Sequence, residues 1–572
     1  MIMENPFVFD RPNNISVEDF IQFYIKENIY TRFLESTRNI VLIGVRGSGK
    51  TSTLRYYSFP VQYVNPEVED KFAVVGIHIP SKHPLFGKRE YLLYESTNKQ
   101  EVVVEHFLCV NILSCICDTF ISTSDALNVS KETEEEILSN LAFILGCDFP
   151  KSSSLFKSIK LYVDKEANSS QKRLNNDDFE SFIDFSFSFS NTVIPFLEQL
   201  KLLPELKNSH FSLFFDDIQD LGPIHQSIIN SWLAYRDNKL FSFKVATADI
   251  KPTYVTSTGG VILEGHDFVK IDLTKRLFNR ASEFNKFAKD VVSKRLILAG
   301  IDSTIEDFLP ESESFSEGLN EGKEKAREDA YKKYPNPSGT QISDHVAKYG
   351  RAIYFRERNP KSNLPVYSGF ETLVDISTGV IRNLLTPIYF MYEKEISNTG
   401  QSVVNVIPPS IQRDIIIKRS EAFWEKIRDI DSEIENCPEE LGKYIHNFFD
   451  QLMIYLKKRL KDPDISEPRA LNFIISQSAS ESEQHQIDEI INASLRSTLL
   501  YKRMVSHKST GVKLPLYVPN RLMLPIHGLD PHGQYSHFPI PAKAFLEAAI
   551  HNKEIPLFTE DESSSNQLEL IF

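Results

Sequence analysis

Residues 42 to 57, LIGVRGSGKTSTLRYY, combine three glycines, a lysine and two possible magnesium-ligand hydroxyls in a spacing that suits phosphate chemistry. Gly44, Gly49, Lys50 and Thr51 match the pattern G-x-x-x-x-G-K-[ST]. In such a loop, main-chain amides point at phosphate oxygens, the lysine reaches the β- and γ-phosphates, and the following hydroxyl ligates magnesium. The pattern predicts an ATP and Mg²⁺ site, whose contact residues are Gly44, Val45, Arg46, Gly47, Ser48, Gly49, Lys50, Thr51 and Ser52.

The elements beside this loop support that prediction. Residues 39–43, NIVLI, have the unbroken apolar pattern of a buried parallel strand, and residues 51–57, TSTLRYY, have the pattern of a helix. A strand, a glycine-rich loop and a helix in this order hold the amides in place, whereas a glycine-rich turn that matches by accident needs no such flanks.

A nucleotide site of this kind needs a second, acidic strand. Residues 72–79, FAVVGIHI, form a good strand pattern but have no acid at the end, whereas residues 210–217, HFSLFFDD, end in two. Asp216 is predicted to ligate Mg²⁺, and Asp217 to act as the catalytic base that polarises the attacking water. The alternative is a strand that ends in an ordinary turn, where aspartates are common.

Two further strand patterns complete a fold prediction. Residues 243–246 lead to Thr247, whose hydroxyl would lie beside the γ-phosphate if this strand is between the other two, and residues 266–273 give a last strand. Buried strands with helical connections predict an α/β fold, a doubly wound parallel sheet with the ligand at the carboxyl ends of the strands. The long interval between the second and third strands predicts a helical insertion at about residues 84–205.

The bulk composition restricts the class of protein. With 572 residues, 41% hydrophobic and 25% charged, the chain has the composition of a soluble globular protein of several domains. A net charge of −14 argues against a surface that is basic overall. We find no signal-like segment or apolar run approaching membrane-spanning length, and the five cysteines show no metal-type spacing, so we expect a cytoplasmic protein with core thiols and no membrane partner.

The region after the sheet has helical patterns. Residues 275–300 predict an amphipathic helix with a glycine stop, and residues 311–334 are charge-rich, as in a solvated helix or loop. Residues 371–395 place Gly379 and Arg382 at the head of an apolar helix.

The C-terminal part has the order of a winged helix. Residues 409–461 predict two helices, and a strand, a helix and a two-stranded hairpin with the turn KSTG follow. From Arg496 to Arg521 the chain has six basic residues and no acid. The hairpin region could therefore bind DNA phosphates without contacting the bases. The alternative is a basic face for a partner protein or for acidic parts of the chain itself. The residues predicted for DNA contact are Arg496, Lys502, Arg503, Lys508 and Lys513.

Two remaining segments predict no chemistry. His527, His532 and His537 recur at five-residue intervals, which matches no common zinc pattern, so we expect an ordered loop there. Residues 561–572 are acidic and serine-rich before an apolar end, which predicts a flexible tail.

Taken with an NPF at Asn5–Phe7, the phosphate loop (Walker A), the strand ending in two acids and the segment STGVIR at residues 377–382 resemble AAA+ ATPases of the origin-recognition-complex type, including bacterial relatives. The resemblance covers most of residues 1–395. It implies an ATPase core over 1–273, an α-helical lid over 274–405 and a winged-helix (α+β) domain over 406–560. It also implies that Arg382 contacts the γ-phosphate and that Thr247 is the polar residue called sensor 1.

One departure from that family leaves two functions open. Ring-forming members place an arginine finger after the sensor strand. Residues 248–267 contain no arginine and one lysine, Lys251, and Arg236 precedes that strand. STAND switch ATPases, which lack such a finger, are therefore a rival, and Arg46 could touch phosphate from the same chain. The first hypothesis is an ATP-dependent switch that engages double-stranded DNA. The second is a signalling ATPase, for example in anti-phage defence, that binds a partner protein from the same operon. The oligomeric state stays open.

Overall fold

The computed structural model describes residues 5–8, 15–26, 33–81, 90–176, 178–180, 186–235, 238–248, 253–273, 282–358, 366–401, 403–430, 439–476, 479–507, 513–557 and 570–571. The chain forms two compact units. The first unit is Asp10–Leu273, and the second unit comprises Met1–Phe9 together with Thr274–Phe572.

The first unit is built on a five-stranded parallel sheet in the order β2-β3-β4-β1-β5. Alternate residues of β1 belong to different cores, because Val41 and Ile43 pack in one and Ile40 and Leu42 in the other. Helices cover both faces, as a doubly wound sheet requires, so the predicted α/β fold of the core is confirmed. The strands are β1 (Ile40–Ile43), β2 (Val74–Pro80), β3 (His210–Asp216), β4 (Phe241–Thr247) and β5 (Val269–Asp272).

The helices of the first unit divide between the two faces of the sheet. The face that contains Leu42 packs against the first three helices, and the opposite face packs against the helices between β2 and β3. The helices are α1 (Val17–Phe23), α2 (Lys50–Tyr56), α3 (Phe59–Val64), α4 (Thr97–Ser122), α5 (Lys131–Leu145), α6 (Leu155–Asn175), α7 (Ile194–Leu200) and α8 (Pro223–Leu233).

The expected helical insertion is present, with more helix than the sequence predicted. Residues 131–145 and 155–175 form α5 and α6, which are amphipathic and bury residues such as Ile137 and Val163. Lys160 of α6 pairs with Asp118 of α4 at 2.8 Å. The insertion is therefore packed on the sheet through α4.

Helix α4 corrects the expectation that no apolar run approaches membrane-spanning length. Its 26 residues have a mean hydropathy of 1.6 in the most apolar window and satisfy the length and composition of a spanning helix. However, 72% of that window is buried inside the protein. The helix is apolar on all sides because it is covered by β2, α6 and α8.

The second unit contains ten helices in its described residues, and a mixed sheet. The charge-rich segment at 311–334 is one long helix, paired with the helix after it. The helices are α9 (Ser282–Leu298), α10 (Ile305–Phe308), α11 (Glu313–Lys333), α12 (Gly339–Glu357), α13 (Phe370–Ile376), α14 (Ile381–Thr399), α15 (Pro409–Arg428), α16 (Glu439–Lys461), α17 (Glu481–Arg496) and α18 (Ala542–His551).

Small residues every fourth position explain how the charged helix α11 packs. Gly318, Gly322, Ala326 and Ala330 form one stripe on α11, and both alanines are fully buried. A Cβ added at Gly322 would lie 2.5 Å from the carbonyl oxygen of Gly350 in α12. The stripe lets the two helix backbones approach closely, while the charged residues face outward.

The NPF segment anchors the start of the chain to the second unit. Nδ2 of Asn5 donates to the carbonyl oxygen of Tyr389 at 3.1 Å and to Oε1 of Glu393 at 2.7 Å. Phe7 is fully buried and its ring stacks on Phe308 at 5.4 Å. Nη1 of Arg295 donates to the carbonyl oxygens of residues 6 and 8.

The C-terminal sheet has the strand order β10-β7-β8-β6-β9, in which the hairpin β7–β8 lies beside β6. Strand β9 is parallel to β6, and α18 packs on α16. Between β6 and the hairpin, one helix, α17, is present in the described residues, whereas a helix-turn-helix needs two. The winged helix therefore stays a prediction. The strands are β6 (Ala470–Ser476), β7 (Leu500–His507), β8 (Lys513–Pro519), β9 (Gln534–Pro541) and β10 (Leu570–Ile571).

A buried ion cluster joins α12 to the loop before β9. Asp530 accepts from Nε of Arg351 at 3.0 Å and from Nη2 at 2.8 Å, and Arg469 lies 3.5 Å away. Burial acts to raise the pKa of Asp530, but the two guanidinium groups outweigh it and lower the pKa to about 2. The histidine loop thus serves packing: His532 pairs with Asp375 and His527 stacks edge-on against Trp424.

Candidate nucleotide-binding site

The loop at residues 44–49 connects β1 to α2 at the carboxyl edge of the sheet. Gly47 and Gly49 have φ values of 85° and 99°, in the region that favours glycine, and the turn depends on both. Gly44 has no room for a side chain, since a Cβ would lie 2.6 Å from Oγ of Ser48. The amides between β1 and α2 are therefore held in a tight curve.

Lys50 is buried against this loop. It is 4% exposed, and its Nζ donates to the carbonyl oxygens of Gly44 at 2.8 Å and Val45 at 3.3 Å. These contacts hold the ammonium group over the loop rather than in solvent. The contact of Lys50 with the β- and γ-phosphates stays a prediction.

Asp216 ends β3 close to Thr51 and Lys50. Burial acts to raise the pKa of this carboxyl, but His78, the nearby hydroxyl of Thr51 and the charge of Lys50 lower it below its ordinary value. Nε2 of His78, on β2, lies 3.5 Å from Oδ2 of Asp216. The structure therefore brings Asp216 and Thr51, which are far apart in sequence, to one point.

Two buried oxygens fit a phosphate and metal group at this point. Oδ1 of Asp216 and Oγ of Ser48 are buried and have no hydrogen-bond partner among the described residues. A buried polar atom without a partner costs free energy unless a ligand satisfies it. Carboxylate and hydroxyl oxygens are the ligands that Mg²⁺ prefers, so Asp216 and Thr51 would hold the metal.

Thr247 lies at the tip of β4, which separates β1 from β3. Its carbonyl oxygen accepts from the amide of Gly44 at 3.0 Å, and the residue is buried. The condition set by the sequence, that this strand lies between the other two, is met. The roles of Thr247 at phosphate and of Asp217 as base stay predictions.

Asp217 has an unusual backbone and a defined partner. Its φ of 54° and ψ of 44° are left-handed, which is uncommon for a residue other than glycine. Its Oδ1 accepts from Nε2 of Gln219 at 3.1 Å, and Oε1 of Gln219 accepts from the amide of Ala248 at 2.7 Å. The carboxylate is thus tied to the segment that follows Thr247.

Arg46, in the loop after β1, contacts an acid in the turn that follows β3. Its Nη2 lies 3.1 Å from Oδ1 of Asp220, and its side chain is half exposed. The predicted contact of Arg46 with phosphate would require this ion pair to open. Arg236 and Lys251, which bear on the arginine-finger question, lie outside the described residues.

Arg382 belongs to the second unit, where it is the second residue of α14 and is exposed. Its carbonyl oxygen accepts from Oγ1 of Thr386. Ser377, Thr378 and Gly379 form a turn between α13 and α14, with positive φ at Thr378 and Gly379. The predicted contact of Arg382 with the γ-phosphate stays a prediction.

The residues predicted to contact DNA differ in their exposure. Arg496 and Lys513 are exposed, and Arg503 is partly buried, which lowers its pKa. Lys502 is only 9% exposed, and its Nζ lies 5.9 Å from the ring centroid of Tyr517, its cross-strand neighbour. The burial of this lysine argues against the predicted DNA contact. Lys508 lies outside the described residues.

No group of three metal-type ligands occurs within the described parts of the chain. Burial lowers the pKa of His537 to about 4, and Cys109, Cys115, Cys117 and Cys147 are free thiols. Burial raises the pKa of Cys115 to about 12, as expected of a core thiol. Cys437 lies outside the described residues.

Two residues of the site were missed from the sequence. Residues 72–79 have no acid at their end, so the sequence does not predict them to be part of the site. The one polar side chain of this strand, His78, nevertheless lies 3.5 Å from Asp216. Gln219 lies in the run DDIQD, in which the aspartates are the stronger candidates for metal binding and catalysis. A polar residue in an otherwise apolar strand near the carboxyl edge was the signal for His78.

Comparison with known protein families agrees with the geometry of this site. A family model described as ORC-CDC6-like matches residues 5–338 and 312–540, which together include most of the chain. No protein of curated function matched the chain. With a phosphate loop, an acidic strand beyond an intervening strand and a match of this extent, the chain belongs to the ORC-CDC6-like family of AAA+ ATPases.

Proposed function

We propose that this protein is a magnesium-dependent ATPase in which binding and hydrolysis of ATP switch the state of the second unit. The observation that carries the proposal is the position of Asp216, whose Oδ1 is buried and unpartnered among the described residues near Thr51 and Lys50. A carboxylate in that position suits a metal between protein and phosphate.

In the proposed hydrolysis, separate residues bind the phosphates, neutralise their charge and accept the proton from water. The amides of residues 44–49 bind phosphate oxygens, and Lys50 neutralises their charge. Bound Mg²⁺ supplies further positive charge and orients the phosphates. Asp217 takes a proton from the attacking water, while the Thr247 hydroxyl orients the transferred phosphate.

Turnover with Asp217→Asn tests this proposal. The variant should bind ATP with wild-type affinity in the presence of Mg²⁺ but hydrolyse it at least about 100-fold more slowly, because the amide cannot take the proton. Wild-type protein in EDTA should also lose turnover. Equal rates for wild type and Asp217→Asn would show that the acid is not the base.

For the output of the switch, we propose contact with DNA phosphates through the hairpin β7–β8. On the hairpin, Arg503 and Lys513 are the residues predicted for DNA contact that are neither buried nor outside the described residues, and Arg496 is exposed at the end of α17. Neutralising Arg496 and Lys513 should weaken duplex binding and reduce the slope of log K against log salt by about 2. Replacing Lys131 and Lys157, two exposed lysines of the insertion, by glutamine is the charge-matched control.

A second output is favoured by one observation on the insertion. Phe143, near the end of α5, is 90% exposed, and Ile144 beside it is 40% exposed. Exposed apolar side chains of this size suit a partner protein, as in a STAND-like signalling ATPase. In that case Phe143→Ser should abolish nucleotide-controlled assembly with a neighbouring gene product in the cytoplasm, and DNA should leave the ATPase rate unchanged.

A further inference from the structure

The amide of Gln219 lies between the ends of two strands of the ATPase sheet. Its Nε2 donates to Oδ1 of Asp217 at 3.1 Å, just after β3, and its Oε1 accepts from the amide of Ala248 at 2.7 Å, just after β4. One side chain therefore uses both its donor and its acceptor to connect the carboxylate to the segment next to Thr247.

The backbone of Asp217 is also left-handed. A left-handed residue other than glycine is strained, and it persists where its surroundings hold it in place. The hydrogen bond from Gln219 fixes Oδ1 and leaves Oδ2 outside this contact. A catalytic base needs this kind of fixed orientation, since small displacements of a reacting group lower rates strongly.

We propose that Gln219 is a positioning residue, which holds the Asp217 carboxylate at a fixed distance from the tip of β4 during hydrolysis. The inference rests on the proposed ATPase function. A change at the β4 tip is passed through Oε1 and Nε2 of Gln219 to the base. Gln219 does not contact the nucleotide in this role, so it controls the rate of turnover and not the affinity for ATP.

Three variants test the proposal. Gln219→Met keeps the length of the side chain and removes both hydrogen bonds, whereas Gln219→Glu keeps the acceptor for Ala248 but places a carboxylate beside Asp217. Gln226→Met is the matched control, because Nε2 of Gln226 donates to the carbonyl oxygen of Leu221 and does not contact Asp217. The full chain is assayed for kcat, KM, ATP dissociation constant and thermal unfolding.

We expect kcat of Gln219→Met and Gln219→Glu to fall about 10- to 100-fold, with the ATP dissociation constant within about twofold of wild type. Gln226→Met should keep kcat within about twofold. In single-turnover assays, adding Gln219→Met to Asp217→Asn should cause no further loss, because Gln219 acts through Asp217.

Three results would overturn the proposal. One is wild-type kcat in both Gln219 variants while wild type hydrolyses ATP. A second is an additive loss in the double variant, which would assign Gln219 a general structural role. The third applies if Gln219→Met does not fold: wild-type kcat in Gln219→Glu alone would then overturn the proposal. Absence of turnover in wild type would instead overturn the proposed ATPase function together with this inference.

Discussion

Nε2 of His78 lies 3.5 Å from Oδ2 of Asp216 where β2 and β3 run side by side. The histidine is the largest contributor that lowers the pKa of the aspartate against burial. Neither Nε2 of His78 nor Oδ1 of Asp216 has a hydrogen-bond partner among the described residues. His78 therefore lies beside the carboxylate that is proposed to bind magnesium, where a small shift would bring the two into a hydrogen bond.

His78→Phe should therefore weaken the dependence of nucleotide binding on magnesium. Residues behind a metal ligand typically contribute 10- to 100-fold to metal affinity, and we expect a loss of about 10-fold. A Mg²⁺ titration of fluorescent ATP-analogue binding measures it. His225→Phe replaces another buried histidine that does not contact Asp216 and should leave the titration unchanged. A normal Mg²⁺ midpoint for His78→Phe would contradict the role.

Lys50→Ala should lower ATP affinity by about 100-fold or more, because it removes the charge at the loop and two hydrogen bonds to its carbonyl oxygens. Equilibrium binding of ATP to purified protein is the measurement. Lys157→Ala, at an exposed position on α6, is the control and should bind normally. If Lys50→Ala also bound normally, the assignment of the loop would be wrong.

Asp530→Asn should destabilise the second unit by about 3–5 kcal/mol at neutral pH, because Arg351 and Arg469 would remain buried beside a neutral amide. Urea unfolding followed by circular dichroism measures this. Asp329→Asn, which removes an exposed ion pair with Lys332, should cost less than about 1 kcal/mol.

The same ion cluster predicts a pH dependence of stability. The folded pKa of Asp530, about 2, lies below its ordinary value of 3.8, so the contribution of the carboxylate is complete above pH 3.8. That contribution is lost as the pH falls through the folded pKa. The difference in unfolding free energy between wild type and Asp530→Asn should therefore shrink as the pH is lowered from about 4 to about 2. A difference that is constant over this range would contradict the pairing.

Gly322→Ala should destabilise the helical pair α11–α12, because the added methyl would lie 2.5 Å from the carbonyl oxygen of Gly350. Overpacking of this kind costs about 1–3 kcal/mol. Gly339→Ala is a matched control in the same pair, since a Cβ there meets no atom within 4 Å. Chemical denaturation should separate the two variants, and equal stability would show that the helices can move apart freely.

The sequence predicted the parts of the site that depend on contiguous residues. The phosphate loop follows from glycines and a lysine between a strand and a helix, and Asp216 follows from an acid at the end of an apolar strand. Gly318, Gly322, Ala326 and Ala330 were also readable as a four-residue repeat, but the many charges between them favoured a solvated segment.

Other features depended on which side of an element faces its neighbour. Lys502 looked like part of a basic surface, yet its place in the antiparallel hairpin puts it against Tyr517. The bounds of α4 give it the length of a membrane-spanning helix, which the sequence pattern did not indicate. Its burial inside the protein explains its hydropathy.

The sequence by itself determined the family and the phosphate loop, because main-chain amides, glycine torsions and a neighbouring lysine act over a few residues. Only the tertiary structure decided that His78 lies beside Asp216 and that Gln219 joins Asp217 to Ala248. These pairs lie on strands or strand ends whose adjacency is set by parallel crossovers and their register. Spacing along the chain carries no record of that register, since the insertion between β2 and β3 can change length without moving the strands.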